Sequence, residues 1–190
     1  MSTSVPPDHE ILARFAQIVG ASLRIDPAGV TPAISLVDLG AESIDVLEIA
    51  MEVESEFSIL LPERSILDVG AEELGHDVLV ADGRLTDEGR RFLAERMPEI
   101  EADTLPAGLP VADVLRLFQR VDVWVRLIRD ILERSPRTCT ACGDGLVQGT
   151  PGRLRCPRCA TVYDLPGGDD LGRDWVHRYA AARGLAARER

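Results

Sequence analysis

Residues 39–57 constrain the fold of this chain more than any other segment, because they predict an amphipathic helix whose charges are all acidic. Between residues 30 and 63 the chain has eight carboxylates and no lysine or arginine. One apolar stripe recurs at helical spacing, at Val46, Ala50, Val53 and Phe57. A second apolar stripe is interleaved with the carboxylates, at Ile44, Leu47 and Met51. We expect one stripe to face the core of a helical bundle and the other to meet a ligand or a partner protein.

Ser43 lies where a loop turns into this helix. The loop, residues 26–42, is rich in proline and glycine, and a hydroxyl at such a corner is predicted to be exposed. A phosphate group is well placed at a helix N-terminus, because unpaired backbone N–H groups and the helix dipole both favour negative charge there. A serine before a helix is often only an N-cap. A cap alone, however, would not require the acidic, doubly striped helix that follows.

Together these features resemble the acyl carrier proteins, in which a serine carries a phosphopantetheine arm. The family pattern is approximately Leu-Gly-x-Asp-Ser-Leu-Asp/Glu, followed by an acidic helix. The matching residues here are Leu39, Gly40, Ala41, Glu42, Ser43, Ile44 and Asp45. The chain departs from the pattern at Glu42, which replaces the usual aspartate, and at Ile44, which replaces the usual leucine.

The resemblance covers residues 8–65 and resumes at residues 117–132, which look like the final helix of the family. The segment between them, about residues 66–116, is longer than the usual third-helix segment. In this respect the chain is similar to specialised carriers for unusual fatty acids or secondary metabolites. Within the insertion, residues 82–83 predict a short hairpin or an extended turn, and Thr86 predicts the cap of a further helix.

The resemblance implies that the protein is a carrier and not an enzyme. A phosphopantetheinyl transferase would attach 4′-phosphopantetheine covalently to Ser43, and the terminal thiol would hold an acyl thioester. Implied partners are an acyl-activating ligase and a ketosynthase or acyltransferase with basic docking surfaces. The carboxylates would select these partners by electrostatic complementarity. The predicted docking face consists of Glu42, Asp45, Leu47, Glu48, Met51, Glu52 and Glu54.

All four cysteines lie in two CxxC pairs separated by thirteen residues. The pairs are Cys139 with Cys142 and Cys156 with Cys159. Two such turns can complete a tetrahedral thiolate cage around Zn²⁺, and four thiolates leave no open position for catalysis. The pattern resembles a structural zinc ribbon, whose folding free energy comes mostly from the metal. A rubredoxin-like iron site or a redox dithiol remains an alternative.

Charge is distributed unevenly along the 190 residues. Residues 1–135 contain 26 acids and 12 arginines, a balance of −14, whereas residues 136–190 contain 6 acids and 9 arginines, a balance of +3. The acidic part should repel nucleic acid and anionic membranes and attract basic proteins. The basic part, residues 136–190, could bind the acidic domain or be solvated. With no signal peptide, no apolar run of transmembrane length and a reduced cysteine cluster, we expect a cytoplasmic protein without membrane insertion.

We therefore predict an all-α acyl-carrier-type helical bundle with an inserted hairpin–helix segment, a small β-rich zinc ribbon and a C-terminal helix. The predicted carrier domain spans residues 1–135, the ribbon residues 136–166, and the tail, predicted to be helical, residues 167–190.

Two other functions remain open. Because of Glu42, the chain could be an interaction adaptor that keeps the carrier fold but is never modified. The arginines of the ribbon, Arg153, Arg155 and Arg158, could instead belong to a zinc-ribbon nucleic-acid-binding protein, which the attached acidic domain disfavours. An enzyme is disfavoured because the sequence contains no nucleophile elbow, P-loop or dinucleotide fingerprint.

Overall fold

The computed structural model describes residues 5–101, 105–106 and 108–186. The helices are α1 Asp8–Leu23, α2 Ser43–Phe57, α3 Ile66–Leu74, α4 His76–Leu79, α5 Asp87–Arg96, α6 Val111–Leu117, α7 Val121–Arg134 and α8 Gly168–Arg183. The strands are β1 Val80–Ala81, β2 Arg84–Leu85, β3 Val147–Gln148, β4 Arg153–Arg155 and β5 Val162–Asp164. The architecture is therefore mostly helical, as predicted, with two small antiparallel sheets in the described ranges. None of the helices described is both long and apolar enough to cross a membrane.

The chain packs into two compact units. The first unit extends to Leu61 and resumes at Arg120–Gly168, and the second consists of Pro62–Gln119 and the chain from Asp169 onward. The cysteine-rich segment therefore packs with the carrier-type helices, and the tail packs with the insertion. The predicted functional boundaries at residues 135 and 166 stay a prediction, because compact packing and function need not divide a chain at the same residues. Parts of the predicted domains, residues 1–4, 102–104, 107 and 187–190, lie outside the described residues.

In the first unit α1 packs against both α2 and α7. Its buried positions, Ile11, Phe15 and Val19, recur every four residues and form one face of the helix. The rings of Phe15 and Trp124 lie 5.5 Å apart between centroids. Helix α2 starts at Ser43 and ends at Phe57, as predicted. Its buried side chains are Ile49, Val53 and Phe57; the predicted stripe contained Val53 and Phe57 but missed Ile49, and its other two members are half-buried.

The loop before α2 and the start of α7 are tied together by backbone hydrogen bonds. The N–H of Val121 donates to the carbonyl of Ile34 at 3.0 Å, and Ser35 bridges to Arg120 in antiparallel fashion. Leu36 is fully buried and anchors the middle of the loop. The loop is long, but it is held at these positions, and this fixes the direction from which the chain enters α2.

The cysteine-rich segment forms a three-stranded antiparallel sheet in the order β3-β4-β5. Leu154 pairs with Tyr163 in the centre of the β4–β5 ladder. The β-type character predicted for this segment is therefore confirmed. The Cys156 N–H donates to the Thr161 carbonyl where β4 ends and β5 begins, and the Cys139 N–H donates to the Asp144 carbonyl within the first cysteine turn.

The second unit contains the predicted hairpin and the predicted helix. Strands β1 and β2 pair across Asp82 and Gly83, both of which have positive φ. Thr86 caps α5, its hydroxyl accepting the Gly89 N–H at 2.9 Å. Helix α3 was not predicted, although its Ser65–x–x–Asp68 capping box is a local signal for a helix start.

Helix α8 completes the core of the second unit. Its Trp175 and Tyr179 rings contact Phe92 of α5 at centroid distances of 4.8 and 5.0 Å. Its basic side chains contact a buried acid of the insertion: His177 Nε2 lies 2.8 Å and Arg173 Nε 3.2 Å from the carboxylate of Glu73. Of the two alternatives for the basic part of the chain, binding to the acidic part is thus the one observed for Arg173 and His177.

Candidate functional site

Ser43 is the first residue of α2 and its side chain is exposed. The N-cap position belongs to Glu42, whose backbone is extended at φ −92° and ψ 171°. The side chain of Asp45 accepts a hydrogen bond from the Glu42 N–H at 2.8 Å and so holds the first turn. Ser43 therefore stands one position inside the helix, and N-capping does not explain a serine here.

The second apolar stripe of α2 faces solvent. Ile44, Leu47 and Met51 are 66%, 57% and 63% exposed, which is unusual for side chains of this size. The carboxylates of Glu42, Glu48 and Glu52 are exposed on the same helix. An apolar stripe framed by acids is suited to a protein partner that is basic at its rim and apolar at its centre.

Two predicted docking residues also have structural contacts. Asp45 is half-buried and holds the helix start through its bond to Glu42. The carboxylate of Glu54 accepts the Leu61 N–H at 2.8 Å, just beyond the other end of α2. Their contribution to docking stays a prediction, and Ile44, which was left out of the predicted docking face, is the most exposed apolar side chain of the stripe.

The four cysteine sulfurs form a second site in the first unit. All lie within 4.8 Å of one another, with Sγ–Sγ distances of 3.5 Å for Cys139–Cys159, 3.5 Å for Cys142–Cys156 and 3.7 Å for Cys142–Cys159. A tetrahedron with metal–sulfur bonds of about 2.3 Å has edges of about 3.8 Å. The arrangement of the thiols therefore fits a single tetrahedral ion such as Zn²⁺.

Each CxxC turn has the same backbone design. The Cys139 carbonyl accepts the Gly143 N–H at 2.8 Å, and the Cys156 carbonyl accepts the Ala160 N–H at 3.0 Å. Gly143 and Ala160 both adopt the left-handed conformation, with φ of 73° and 61°. These tight turns bring the two sulfurs of each pair to one side, which is the geometry that a shared metal ion requires.

Hydroxyl groups surround the thiols. The Tyr163 hydroxyl donates to Cys139 Sγ at 3.2 Å and lowers the pKa of that thiol to about 6. Thr161 Oγ1 lies 3.1 Å from Cys159 Sγ and lowers the pKa of Cys159. Thr161, two residues after Cys159, could have been found from sequence proximity, whereas no spacing rule marks Tyr163. Such outer hydrogen bonds orient and stabilise metal-binding thiolates.

Ionisation of all four thiols needs a cation. The Asp144 N–H lowers the pKa of Cys142, but the nearby Cys156 and Cys139 thiols together with burial outweigh it and raise that pKa to about 12. Thiolates this close repel one another, so without a cation some of them hold protons. A divalent metal would remove this repulsion and bind all four as thiolates.

Comparison with known proteins identifies the family. The model of the family described as "Phosphopantetheine attachment site" matches residues 13–70, which include Ser43. A meromycolate extension acyl carrier protein of Mycolicibacterium smegmatis is 30% identical over 96 residues, 50% of this chain and 94% of the relative. An acyl carrier protein of Helicobacter pylori is 40% identical over 57 residues, 28% of this chain and 73% of the relative. This chain belongs to the acyl carrier protein family.

A further relative of this acyl carrier protein is a much larger protein. A non-reducing polyketide synthase of Emericella nidulans is 40% identical over 68 residues, 36% of this chain, but the chain spans only 3% of that synthase. No solved structure matches. The four cysteines lie outside residues 13–70, so the family match carries no information about the metal site.

Proposed function

We propose that Ser43 carries 4′-phosphopantetheine and that the thiol of this arm carries an acyl group as a thioester. The observation that carries the proposal is the exposed Ser43 at the first position of an acidic helix, inside the segment that matches the phosphopantetheine family. Ser43 Oγ would attack the pyrophosphate of coenzyme A, forming a serine phosphodiester and releasing adenosine 3′,5′-bisphosphate. A transferase would catalyse this step, and the hydroxyl proton would pass to its general base.

The partners proposed are the phosphopantetheinyl transferase, an acyl-activating ligase, and a ketosynthase or acyltransferase. The exposed stripe of Ile44, Leu47 and Met51 supports an apolar centre for these contacts, and the surrounding carboxylates support a basic rim on the partner. Charge of this kind affects the rate of encounter more than the final affinity. We therefore expect docking to weaken as salt is added.

The pathway proposed is specialised fatty-acid or secondary-metabolite biosynthesis. It is supported by the names of two relatives, a meromycolate extension acyl carrier protein and a polyketide synthase, and by an insertion that forms part of a separate compact unit. We also propose that the protein is cytoplasmic, because its four clustered cysteines are free thiols, which persist in a reducing compartment.

We propose further that the four cysteines hold a structural zinc ion. The support is the near-tetrahedral spacing of the sulfurs, together with hydrogen bonds between two of them and the hydroxyls of Tyr163 and Thr161. A cage with four protein ligands has no position open for a substrate, so its contribution would be to folding.

The carrier function is tested by intact-mass measurement after incubation with coenzyme A, Mg²⁺ and a promiscuous phosphopantetheinyl transferase. We expect a gain of one phosphopantetheine in the unmodified chain and none in Ser43→Ala. Ser55→Ala is the matched control, because Ser55 is an exposed serine on the same helix, and it should retain the gain.

Failure of modification would favour the adaptor function. If a folded protein gains no mass with several transferases, Ser43 is not modified in this chain as it stands. Glu42→Asp then distinguishes a Glu42 that blocks the transferase from a Ser43 that no transferase modifies, because the substitution restores the residue usual in the family at the start of the helix. A gain in Glu42→Asp alone would mean that Glu42 blocks recognition by the transferase.

A further inference from the structure

The turn between β3 and β4 lies against the C-terminal end of α2, within the first unit. The Ser58 hydroxyl donates to the Gly149 carbonyl at 3.3 Å. The side chain of Leu60 lies so close to Gly152 that a Cβ on that glycine would be 2.6 Å from Leu60 Cδ1. Farther along the chain, the Gly168 N–H donates to the Leu60 carbonyl at 2.9 Å. The chain just after α2 therefore contacts the cysteine-rich segment at Gly149 and Gly152 and the first residue of α8 at Gly168.

The same segment is attached to the end of α7. The Arg137 guanidinium donates to the Leu132 carbonyl at 2.6 Å. The Leu146 N–H donates to the Arg137 carbonyl at 2.9 Å, which brings the first cysteine turn close to the helix end. Two of the three bundle helices thus end on the cysteine-rich segment.

The end of α2 depends on outside support. Ser58 terminates the helix in the left-handed conformation at φ 54°, which is unfavourable for a residue with a side chain. It is nevertheless buried, and it is followed by the fully buried Ile59. A strained, buried helix end of this kind persists only when surrounding contacts hold it in place.

The support itself has little core of its own. Among the described side chains of residues 136–166, only Cys139, Cys156 and Leu165 are buried. A segment of about thirty residues with so few buried apolar groups does not fold alone and needs a cross-link or a metal. Its order, and therefore its contacts with Ser58 and Leu60, should depend on the ion bound by the cysteines.

We propose that the metal bound by Cys139, Cys142, Cys156 and Cys159 braces the C-terminal end of α2, so that metal occupancy sets the stability of the carrier helix. The coupling follows from mass action. An ion that binds only the folded ribbon favours every structure that requires the folded ribbon, and the end of α2 is such a structure. The effect on stability is independent of modification, whereas a consequence for Ser43 rests on the carrier function proposed above.

Trp124 is a reporter for this coupling, because it packs on Phe15 in the carrier bundle. In the full-length Trp175→Phe protein Trp124 is the only tryptophan, so its fluorescence follows the first unit alone. The thermal midpoint is measured with Zn²⁺ bound and after removal of the metal by a chelator and desalting. We expect the metal-free protein to melt at least about 4 °C lower, the shift for a fivefold loss in the folding equilibrium constant of a domain this size.

Leu60→Ala tests whether the junction transmits the effect. Leu60 is 39% exposed, and Leu115 of α6, which is 45% exposed, provides the matched control. Leu60→Ala should still bind one equivalent of Zn²⁺ but lose at least half of the metal-dependent shift in midpoint. Leu115→Ala should keep the full shift. Hydrogen exchange of the unsubstituted chain provides an independent readout, with faster exchange at the end of α2 when the metal is removed.

Any of three results would overturn the proposal. The first is an equal midpoint of the Trp124 transition with and without Zn²⁺, and the second is an undiminished metal-dependent shift in midpoint in Leu60→Ala. The third is a hydrogen-exchange rate at the end of α2 that is the same with and without the metal. The intact-mass assay, run on zinc-loaded and metal-free protein, keeps the two proposals separate. Failure of the zinc-loaded protein to gain mass counts against carrier function only. A bundle that melts independently of zinc counts against the brace only.

Discussion

The two cysteine turns allow a sharp test of the metal site, because they place a glycine and an alanine in the same backbone conformation. Gly143 has φ 73° and Ala160 has φ 61°. A Cβ added at Gly143 would meet nothing within 4 Å, so the substitution changes only the conformational energy of the backbone. Ala160 is exposed, so its methyl group contributes little packing that a glycine would lose. We predict opposite effects for Gly143→Ala and Ala160→Gly.

The magnitude follows from two terms. A residue with a Cβ loses about 1–2 kcal/mol in the left-handed conformation. The greater freedom of glycine in the unfolded chain offsets about 0.4–1 kcal/mol of this. The difference, roughly 1 kcal/mol, favours glycine at both positions. Because metal binding supplies the folding free energy of such a segment, this difference corresponds to about a fivefold change in apparent zinc affinity.

The assay is competition for Zn²⁺ between each full-length protein and a chelator of known affinity, at fixed pH. Gly143→Ala should bind about fivefold more weakly than the unmodified chain, and Ala160→Gly about fivefold more tightly. The double variant should return to within about twofold of the starting affinity if the two turns act independently. Equal or weaker binding in Ala160→Gly would refute the reasoning, because the relief of backbone strain should exceed the added freedom of glycine in the unfolded chain.

Two further predictions concern the second unit and the docking face. Burial and the Glu88 carboxylate raise the pKa of Tyr179 above its usual 10. The neutral phenol therefore stabilises the second unit fully below about pH 10, and this stability is lost as the pH rises above that value. Thermal melts of the Trp124→Phe protein, followed by Trp175 fluorescence, should show the loss, and Tyr179→Phe should make the midpoint less dependent on pH. Leu47→Ala combined with Met51→Ala should lower kcat/KM for phosphopantetheine transfer at least tenfold. The midpoint of the Trp124 transition should not fall, because both side chains are mostly exposed. A midpoint that falls together with kcat/KM would mean that the stripe stabilises the fold.

Local signals predicted those parts of the structure that depend on neighbouring residues. The start of α2 at Ser43, the hairpin at Asp82 and Gly83 and the cap at Thr86 are each set by a few adjacent positions. The cysteine spacing likewise predicted that four thiols would meet, because each CxxC turn is itself a local structure. Whether Ser43 is modified and the metal is zinc stay predictions.

Packing between distant segments could not be predicted in the same way. The association of α8 with the insertion depends on Tyr179 reaching Glu88 and on His177 reaching Glu73, residues about ninety to one hundred positions apart. The contact between Leu60 and Gly152 is of the same kind. Hydrophobic periodicity indicates that a face is buried but does not identify the surface that buries it. The tail was therefore predicted as a helix without its partner.

The distribution of ion pairs explains how a chain with 21 arginines can keep one helix strongly acidic. In the second unit, Arg173 and Arg183 pair with Glu73 and Glu95. In the first unit, Arg129 pairs with Asp8, and Arg14 reaches Glu56 near the C-terminal end of α2.

No ion pair among the described residues involves Glu42, Glu48 or Glu52, so negative charge remains uncompensated towards the Ser43 end of the helix. Unscreened like charge destabilises a folded chain slightly. The basic partners proposed above would supply the missing cations beside the exposed apolar stripe. Glu48→Arg combined with Glu52→Arg should therefore slow association with a basic transferase in low salt. The difference in association rate from the unsubstituted chain should shrink as the ionic strength approaches about 1 M.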